Sequence, residues 1–338
     1  MTQAQPAPPP AVNPANTLGI DYRAAAARFS YRGPIIDVHT HLMDAAAADA
    51  WAAVADLFGV TTTWSQTPLP QVPAIRERHG DRIRFIAVPN YAERDRSPTT
   101  FTSDWIDAIR RFAEMGCTMV KLWAAPRGRD FSEHLRLDSP IRVAGVRLAI
   151  DYGMQVMVHV ADPDTWFATK YADVKRYGRK REHYAPLERL LDQYPDVLFL
   201  AAHMGGSPED LDFLQGLLDR HANLHVDTSA TKWMVRELSK HPLDFRVFCR
   251  RNPGRVHFGT DIVANAENAG DFDLHASRYW ALRTLLETDH DGPSPIVDPD
   301  LHLVDPQVPE HATARLRGAA LDDATLRSVY HDASAALR

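Results

Sequence analysis

Two histidines one residue apart, in Ile35-Ile36-Asp37-Val38-His39-Thr40-His41-Leu42, set the chemistry this sequence can do. On a β-strand, residues i and i+2 point to the same face, so His39 and His41 can converge on one ion while Val38 and Thr40 point away. An imidazole nitrogen binds a divalent transition metal at about 2.0–2.1 Å, which makes a His-x-His pair half of a metal site. Later apolar runs also end on polar residues: Val120-Lys121-Leu122-Trp123, Met157-Val158-His159-Val160, Ala201-Ala202-His203-Met204-Gly205-Gly206 and His257-Phe258-Gly259-Thr260-Asp261. His159 can supply a third nitrogen and Asp261 an oxygen. Three or four protein ligands with a position left for water is the pattern of a catalytic site and not of a closed structural one. Any one of these residues alone has an ordinary structural use. All of them together do not, because a buried titratable group without a partner costs several kcal/mol, and each would need its own excuse.

The elements that must hold these residues alternate along the chain. Candidate strands are Ile35–Thr40, Val60–Trp64, Ile83–Val88, Thr118–Leu122, Gln155–Val160, Val197–Ala202, Asn223–Asp227 and Arg255–Thr260. Between them lie helical patterns. Ala45–Phe58 is Ala-rich, and Ser103–Met115 carries Trp105, Ile106, Ile109 and Phe112 at helical spacing. Ser139–Tyr152 and Ser207–His221 both open on Ser-Pro, a capping residue followed by the residue best tolerated at the first helical position. Eight nearly all-apolar strands alternating with helices describe a parallel sheet covered by helices, and a (β/α)₈ barrel (TIM barrel) is the expected α/β architecture. In such a barrel catalytic residues sit at the C-terminal strand ends. The alternative, a doubly wound sheet, lacks a Gly-rich fingerprint after its first strand.

Composition bounds the rest. The chain has 338 residues, 38 basic and 44 acidic, for a formal charge of −6. That balance argues against nucleic acid, which needs a basic stripe. No run of about 18 apolar residues marks a membrane span. Cys117 and Cys249 cannot make a disulfide framework, which suits a reduced, cytoplasmic setting. Residues 1–16 are Pro/Ala-rich and read as a disordered leader, leaving 17–338 as one domain. The stretch 290–311, rich in Pro and Asp, reads as a long surface loop.

The motifs IIDVHTHL, VMVHV, LAAHMGG and HFGTDI, in that order, make residues 33–338 resemble the amidohydrolase superfamily, in its amidohydrolase-related (type 2) branch. The tail LDDATLRSVYHDASAALR, a helical C-terminal extension, is similar more loosely, with Asp322 where the branch has Pro and Ala333-Ser334 where it has Asn-Ala. The resemblance implies that His39, His41, His159 and Asp261 bind a divalent metal, zinc first, with manganese or iron as alternatives. It implies that Asp261 doubles as a proton acceptor. His203 would polarise the substrate or bind a second ion, and Lys121 is where some members carry a carboxylated lysine between two ions. Lys121 otherwise reads as a substrate-facing or salt-bridged residue. The implied activity is metal-dependent hydrolysis of a small carboxylated or cyclic substrate (ester, lactone or amide). Non-oxidative decarboxylation of an aromatic or unsaturated acid, a lyase reaction, is the alternative, and a non-catalytic metal-binding barrel is the third reading.

The loops hint at an anionic small-molecule substrate. Trp123, Arg127 and Arg129 follow the fourth strand, and guanidinium grips carboxylate in a bidentate fork; a surface pair with Asp130 is the alternative. The basic, aromatic stretch from Asp162 to Tyr184 could be a lid or a solvated helix at a homo-oligomer interface. Ser229, after the seventh strand, has no upstream base and no nucleophile elbow, and reads as polar lining.

Overall fold

Parallel pairing runs through the central sheet of this computed structural model, which describes residues 13–91 and 98–337, with side chains described for 13–91 and 104–337. In chain order the strands are β1 (Ile35–Leu42), β2 (Val60–Ser65), β3 (Ile83–Ala87), β4 (Met119–Trp123), β5 (Gln155–His159), β6 (Phe199–Ala201), β7 (Leu224–Asp227), β8 (Val256–His257) and β9 (Ile262–Ala264), with an outlying hairpin β10 (Asp291–Val297) and β11 (Thr313–Arg317). The sheet order is β8-β7-β6-β5-β4-β3-β2-β1-β9. β8 and β9 are two halves of one eighth strand; β8 pairs with β7 and β9 with β1. Between them, Val38 N donates to Phe258 O at 2.9 Å and Asp261 N donates to His39 O at 2.8 Å. The sheet therefore closes, as the alternation of strands and helices predicts for a (β/α)₈ barrel.

The helices are α1 (Tyr22–Ala26), α2 (Ala45–Leu57), α3 (Val72–His79), α4 (Pro98–Glu114), α5 (Pro140–Asp151), α6 (Asp164–Ala168), α7 (Val174–Tyr177), α8 (Tyr184–Gln193), α9 (Leu211–Arg220), α10 (Thr231–Leu238), α11 (Pro242–Arg251), α12 (Phe272–Glu287), α13 (Asp300–Val304) and α14 (Asp323–Tyr330). Ser139 caps α5 by accepting from Arg142 N, with Pro140 at the first position. The other Ser-Pro start is not a cap. α9 begins at Leu211 and Asp210 caps it through Phe213 N, while Ser207 bonds the Tyr184 hydroxyl at 2.7 Å. α4 starts at Pro98, five residues before the expected Ser103.

Two packing layers follow from the strand alternation. Val38, Trp64, Ile86, Met119, Met157 and Leu200 pack together inside the barrel. Their strand neighbours Val120, Val156, Val158, Phe199 and Val226 join the larger cluster between strands and helices. Leu337 also belongs to the inner cluster, and Gln155 Nε2 donates to Ala336 O at 2.7 Å, so the tail closes the N-terminal end of the cylinder. The C-terminal extension is thus a plug as well as a helix.

Two expectations need correction. Residues 290–311 are not a surface loop: they hold β10 and α13, and Pro293 stands opposite Arg315 of β11 in an antiparallel pair. Of the leader predicted at 1–16, residues 1–12 lie outside the described ones. Asn13–Asn16 are tied down: Asn16 Nδ2 donates to Asp273 at 3.0 Å and Val297 N to Pro14 O at 2.8 Å. Cys117 and Cys249 are free and buried. Among the described residues, no helix is long and apolar enough to cross a membrane.

Candidate metal centre

A bulge in β1 aims the His-x-His pair. Asp37 is opposite Thr63 but Thr40 is opposite Ser65, so β1 spends three steps where β2 spends two. Such a bulge re-aims the side chains that follow it. Below it, Asp37 turns outward and accepts from Thr260 Oγ1 at 2.7 Å and from Tyr279 OH of α12 at 3.0 Å. Complete burial pushes the Asp37 carboxyl up to about 7, against the pull of these donors. Above it, His39 and His41 face the mouth of the barrel. Strict alternation would have put Asp37 on the same face as both histidines; the extra residue separates them.

His203 reaches the mouth by a different device. Ala202 already packs inside the barrel, and His203 follows it with φ 60°, in the left-handed region. Met204, Ala230 and Asp261 also have positive φ. Such non-glycine residues cost on the order of 1 kcal/mol or more each, and cluster where function needs them. Of the two glycines after Met204, Gly206 has a steric reason: a Cβ there would stand 2.1 Å from Ala161 O. That contact seats the loop after β6 directly on the loop after β5.

Three donors converge. His41 Nε2 lies 3.0 Å and His39 Nε2 3.4 Å from the same oxygen, Asp261 Oδ1. Ligands about 2.1 Å from a tetrahedral ion stand about 3.4 Å apart, so this set fits one divalent cation. Lys121 Nζ is 3.4 Å and Gln66 Nε2 2.7 Å from His39 Nε2. Burial lowers Lys121 to about 8. Burial, then the Lys121 charge, lower His39. Burial would raise Asp261, but the His41 hydrogen bond and the neighbouring histidines outweigh it and hold the carboxyl well below the usual range.

His159 is not part of this group. Its Nε2 sits 2.8 Å from Asp162 Oδ1, and Asp162 is fixed from its other oxygen by the Tyr171 hydroxyl at 2.6 Å. The His159 ring packs edge-on against His203, centroids 4.5 Å apart. Burial, then His159, lower His203 well below the ordinary histidine value.

A second triple shares His39: its Nδ1 lies 2.9 Å from Asp227 Oδ2, and His203 completes the set. Asp227, at the end of β7, was not among the expected ligands. Its carboxyl is buried, which alone would raise it, yet His39 and its other partners hold it well below the ordinary range. Ser229 bonds Asp227, His39 and His203 together. The signal in sequence was only a polar residue at one more strand end.

The cavity above these residues holds about 500 Å³. Trp123 lines it, beside Trp166 and Trp233. Arg127 and Arg129 do not: a short turn after β4 leaves Arg127 exposed and sends Arg129 to Arg176 O at 2.8 Å. Besides Lys121 beside His39, the cations lining the cavity are Lys232 and Arg278, and neither of these two is ion-paired among the described residues. Asp298 and Asp300, whose charges Lys232 feels, are bonded to Arg236 at 2.5 and 3.2 Å. Burial brings Arg278 down to about 10. In the basic stretch 162–184, Lys170 pairs with Asp300 at 3.0 Å, Arg176 with Asp130 at 2.6 Å and Arg181 with Asp210 at 2.5 Å. Of that stretch Trp166 reaches the cavity, held by Asp300 at 2.6 Å.

No protein-family model and no curated protein matches the chain. Among solved structures, it is similar to 2,6-dihydroxybenzoate decarboxylase from Rhizobium at 12% identity and TM-score 0.44, over 74% of this chain and 99% of that one. It is similar to a manganese complex of 5-carboxyvanillate decarboxylase from Novosphingobium aromaticivorans at 13% identity and TM-score 0.44, over 72% and 90%. It is also similar to a zinc-bound amidohydrolase from Burkholderia multivorans at 12% identity and TM-score 0.46, over 90% and 100%. The barrel and the convergence at its mouth stand on this chain's own strands and side chains.

Proposed function

We propose that this chain is a metal-dependent enzyme of the amidohydrolase superfamily that hydrolyses a small carboxylated or cyclic ester, lactone or amide. One observation carries the reading: His39 Nε2, His41 Nε2 and Asp261 Oδ1 meet at the rim of a closed barrel at 3.0 and 3.4 Å, inside a cavity. When bound, a divalent ion supplies Lewis acidity and acidifies water, and zinc, with manganese or iron as alternatives, suits two nitrogens and an oxygen. His39, His41 and Asp261 would hold it. Asp261 is also the nearest carboxylate to take a proton. Lys232 and Arg278 bind the substrate's anionic group, a role the sequence had pointed to Arg127 and Arg129 for. Trp123, Trp166 and Trp233 exclude water from the face they cover. His159, held on Asp162, and Lys121, beside His39, are the residues a second ion would recruit, Lys121 as a carboxylated side chain.

Decarboxylation of an aromatic acid is the second reading. It is favoured by the three indole rings and by Lys232 and Arg278 lining the cavity, which suit a flat aromatic carboxylate. The two readings separate on products. Zinc- and manganese-loaded protein is incubated with aryl esters, lactones, amides and hydroxybenzoates in ¹⁸O water. Label in a product acid supports hydrolysis; released carbon dioxide supports decarboxylation. Turnover that persists unchanged in Asp261→Asn would overturn both.

A further inference from the structure

We infer that Asp227 and Ser229 set the tautomers of two histidines at once, so that His39 and His203 both carry their proton on Nδ1 and offer an Nε2 lone pair to the cavity. Asp227 is fully buried, and its Oδ1 accepts the peptide N–H of His203 at 2.8 Å and of Ser229 at 3.0 Å. Peptide nitrogens can only donate, so that oxygen is an acceptor. Its Oδ2 faces His39 Nδ1 at 2.9 Å, and a carboxylate has no proton to give, so His39 Nδ1 is protonated. Ser229 Oγ has a single proton and three neighbours: Asp227 Oδ1, His39 Nδ1 at 2.9 Å and His203 Nδ1 at 2.7 Å. The contact to Asp227 joins two oxygens, and the carboxylate has no proton to give, so two bare lone pairs would meet there unless the serine supplies one. The serine proton therefore lies there. Ser229 Oγ is left an acceptor, and His203 Nδ1 must donate to it.

A second observation agrees from the far side of the ring. The Gln66 amide nitrogen is nearest to His39 Nε2, at 2.7 Å, and is a donor, as a lone pair requires; the Lys121 ammonium, another donor, and Asp261 Oδ1, with which His39 would share a cation, each stand at 3.4 Å. The consequence concerns His203. With its proton held on Nδ1, the neutral ring cannot donate a hydrogen bond from Nε2 to a developing oxyanion. It can bind a cation or take up a proton. Asp227 and Ser229 are positioning residues in this scheme, acting through the two imidazoles.

The inference leans on the metal-site reading only for its use; the tautomers exist in the metal-free chain. Long-range ¹H–¹⁵N spectra of the full-length, metal-free protein, with ring nitrogens labelled and signals assigned through His39→Gln and His203→Gln, report which nitrogen is protonated. Both histidines are expected in the Nδ1–H form. Ser229→Ala, which removes no backbone contact, should leave His39 in that form and release His203 to a mixture. Zinc affinity, measured against a chromophoric chelator, should fall about 10-fold or more in Asp227→Asn, which removes the outer contact of His39, and stay within about threefold in Ser229→Ala. Asp227→Asn, with folding checked by circular dichroism, should disturb both rings. An Nε2–H form of His203 in the wild type, or one unchanged by Ser229→Ala, would overturn the proposal. Correct tautomers in a chain that binds no zinc would sink the metal reading and leave this one standing.

Discussion

Neighbouring layers of the same barrel are built on opposite terms. The lower inward layer, Val38, Trp64, Ile86, Met119, Met157 and Leu200, is apolar and fully enclosed. The layer above it, one to three residues further along, holds His39, Gln66, Lys121, His159 and His203, joined by Asp227 at the end of β7, with left-handed backbone at His203. The lower layer is where packing decides; in the upper layer partners decide. Only the lower layer owes its contents to stability, and substitutions should divide accordingly.

The largest contrast is expected from a matched pair. His41→Ala should weaken zinc binding by at least about 100-fold, since it removes a ligand and not an outer contact. Its metal-free form should melt within a few degrees of the wild-type apo protein. Leu200→Ala, one layer down, should lose about 2–5 kcal/mol in urea unfolding while folded chains keep their full complement of metal by elemental analysis. Loss of metal in both would erase the division between layers.

Next comes the cavity wall. Arg278→Met should raise KM for whichever carboxylate substrate is turned over by about 10- to 100-fold, the worth of a hydrogen bond to a charged group. Arg127→Ala and Arg129→Ala should leave it within about twofold. Equal effects would return the anion to the exposed arginines.

The lower layer has one polar exception. His225 Nδ1 lies 2.9 Å from His257 Nε2, and His257 Nδ1 has no partner among the described residues. Burial pushes these imidazoles down to about 4 and about 3. The folded chain then keeps them neutral where the unfolded chain would protonate them. Above about pH 6.5 neither state gains protons and nothing is lost. As pH falls below that, the unfolded state binds more protons and stability drops, until the folded pKa values are reached. The double variant His225→Leu/His257→Leu should therefore show a flatter loss of unfolding free energy between about pH 6 and pH 4 than the wild type. An unchanged slope would mean the pair titrates freely.

The smallest effect tests the strained backbone. Ala230 has φ 64°. Ala230→Gly should stabilise by no more than about 1 kcal/mol, because relief of the left-handed strain is partly offset by a looser unfolded chain. A clear destabilisation would show that the methyl group packs rather than strains.

The barrel was legible because periodicity is local: each strand announces itself in five or six residues, and its boundary errs by one or two, or by three where the eighth strand breaks after His257. The site was legible where strand-end position and residue type coincide, as at His39, His41 and Asp261. It was less so where a side chain's role depends on a partner far away in the chain. Arg127 and Lys232 look alike in sequence; what separates them is a turn after β4 and the capture of Asp298 and Asp300 by Arg236, 62 and 64 residues from its own position. Ser229 looked like lining because its three bonding neighbours come from β1, β7 and the turn after β6. Residues 290–311 looked like a loop because Pro and Asp are rare in central strands, yet an outlying hairpin tolerates both.

The extra residue in β1 makes the floor beneath the centre sensitive to length and not only to identity. Val38 and His39 share the span that Trp64 alone fills on β2, so Val38 packs inward and His39 still faces the opening one position later. Deleting Val38 would straighten the strand and leave Asp37 and His39 as neighbours on opposite faces: the imidazoles would keep their aim, and the enclosed floor under them would lose a member and its support.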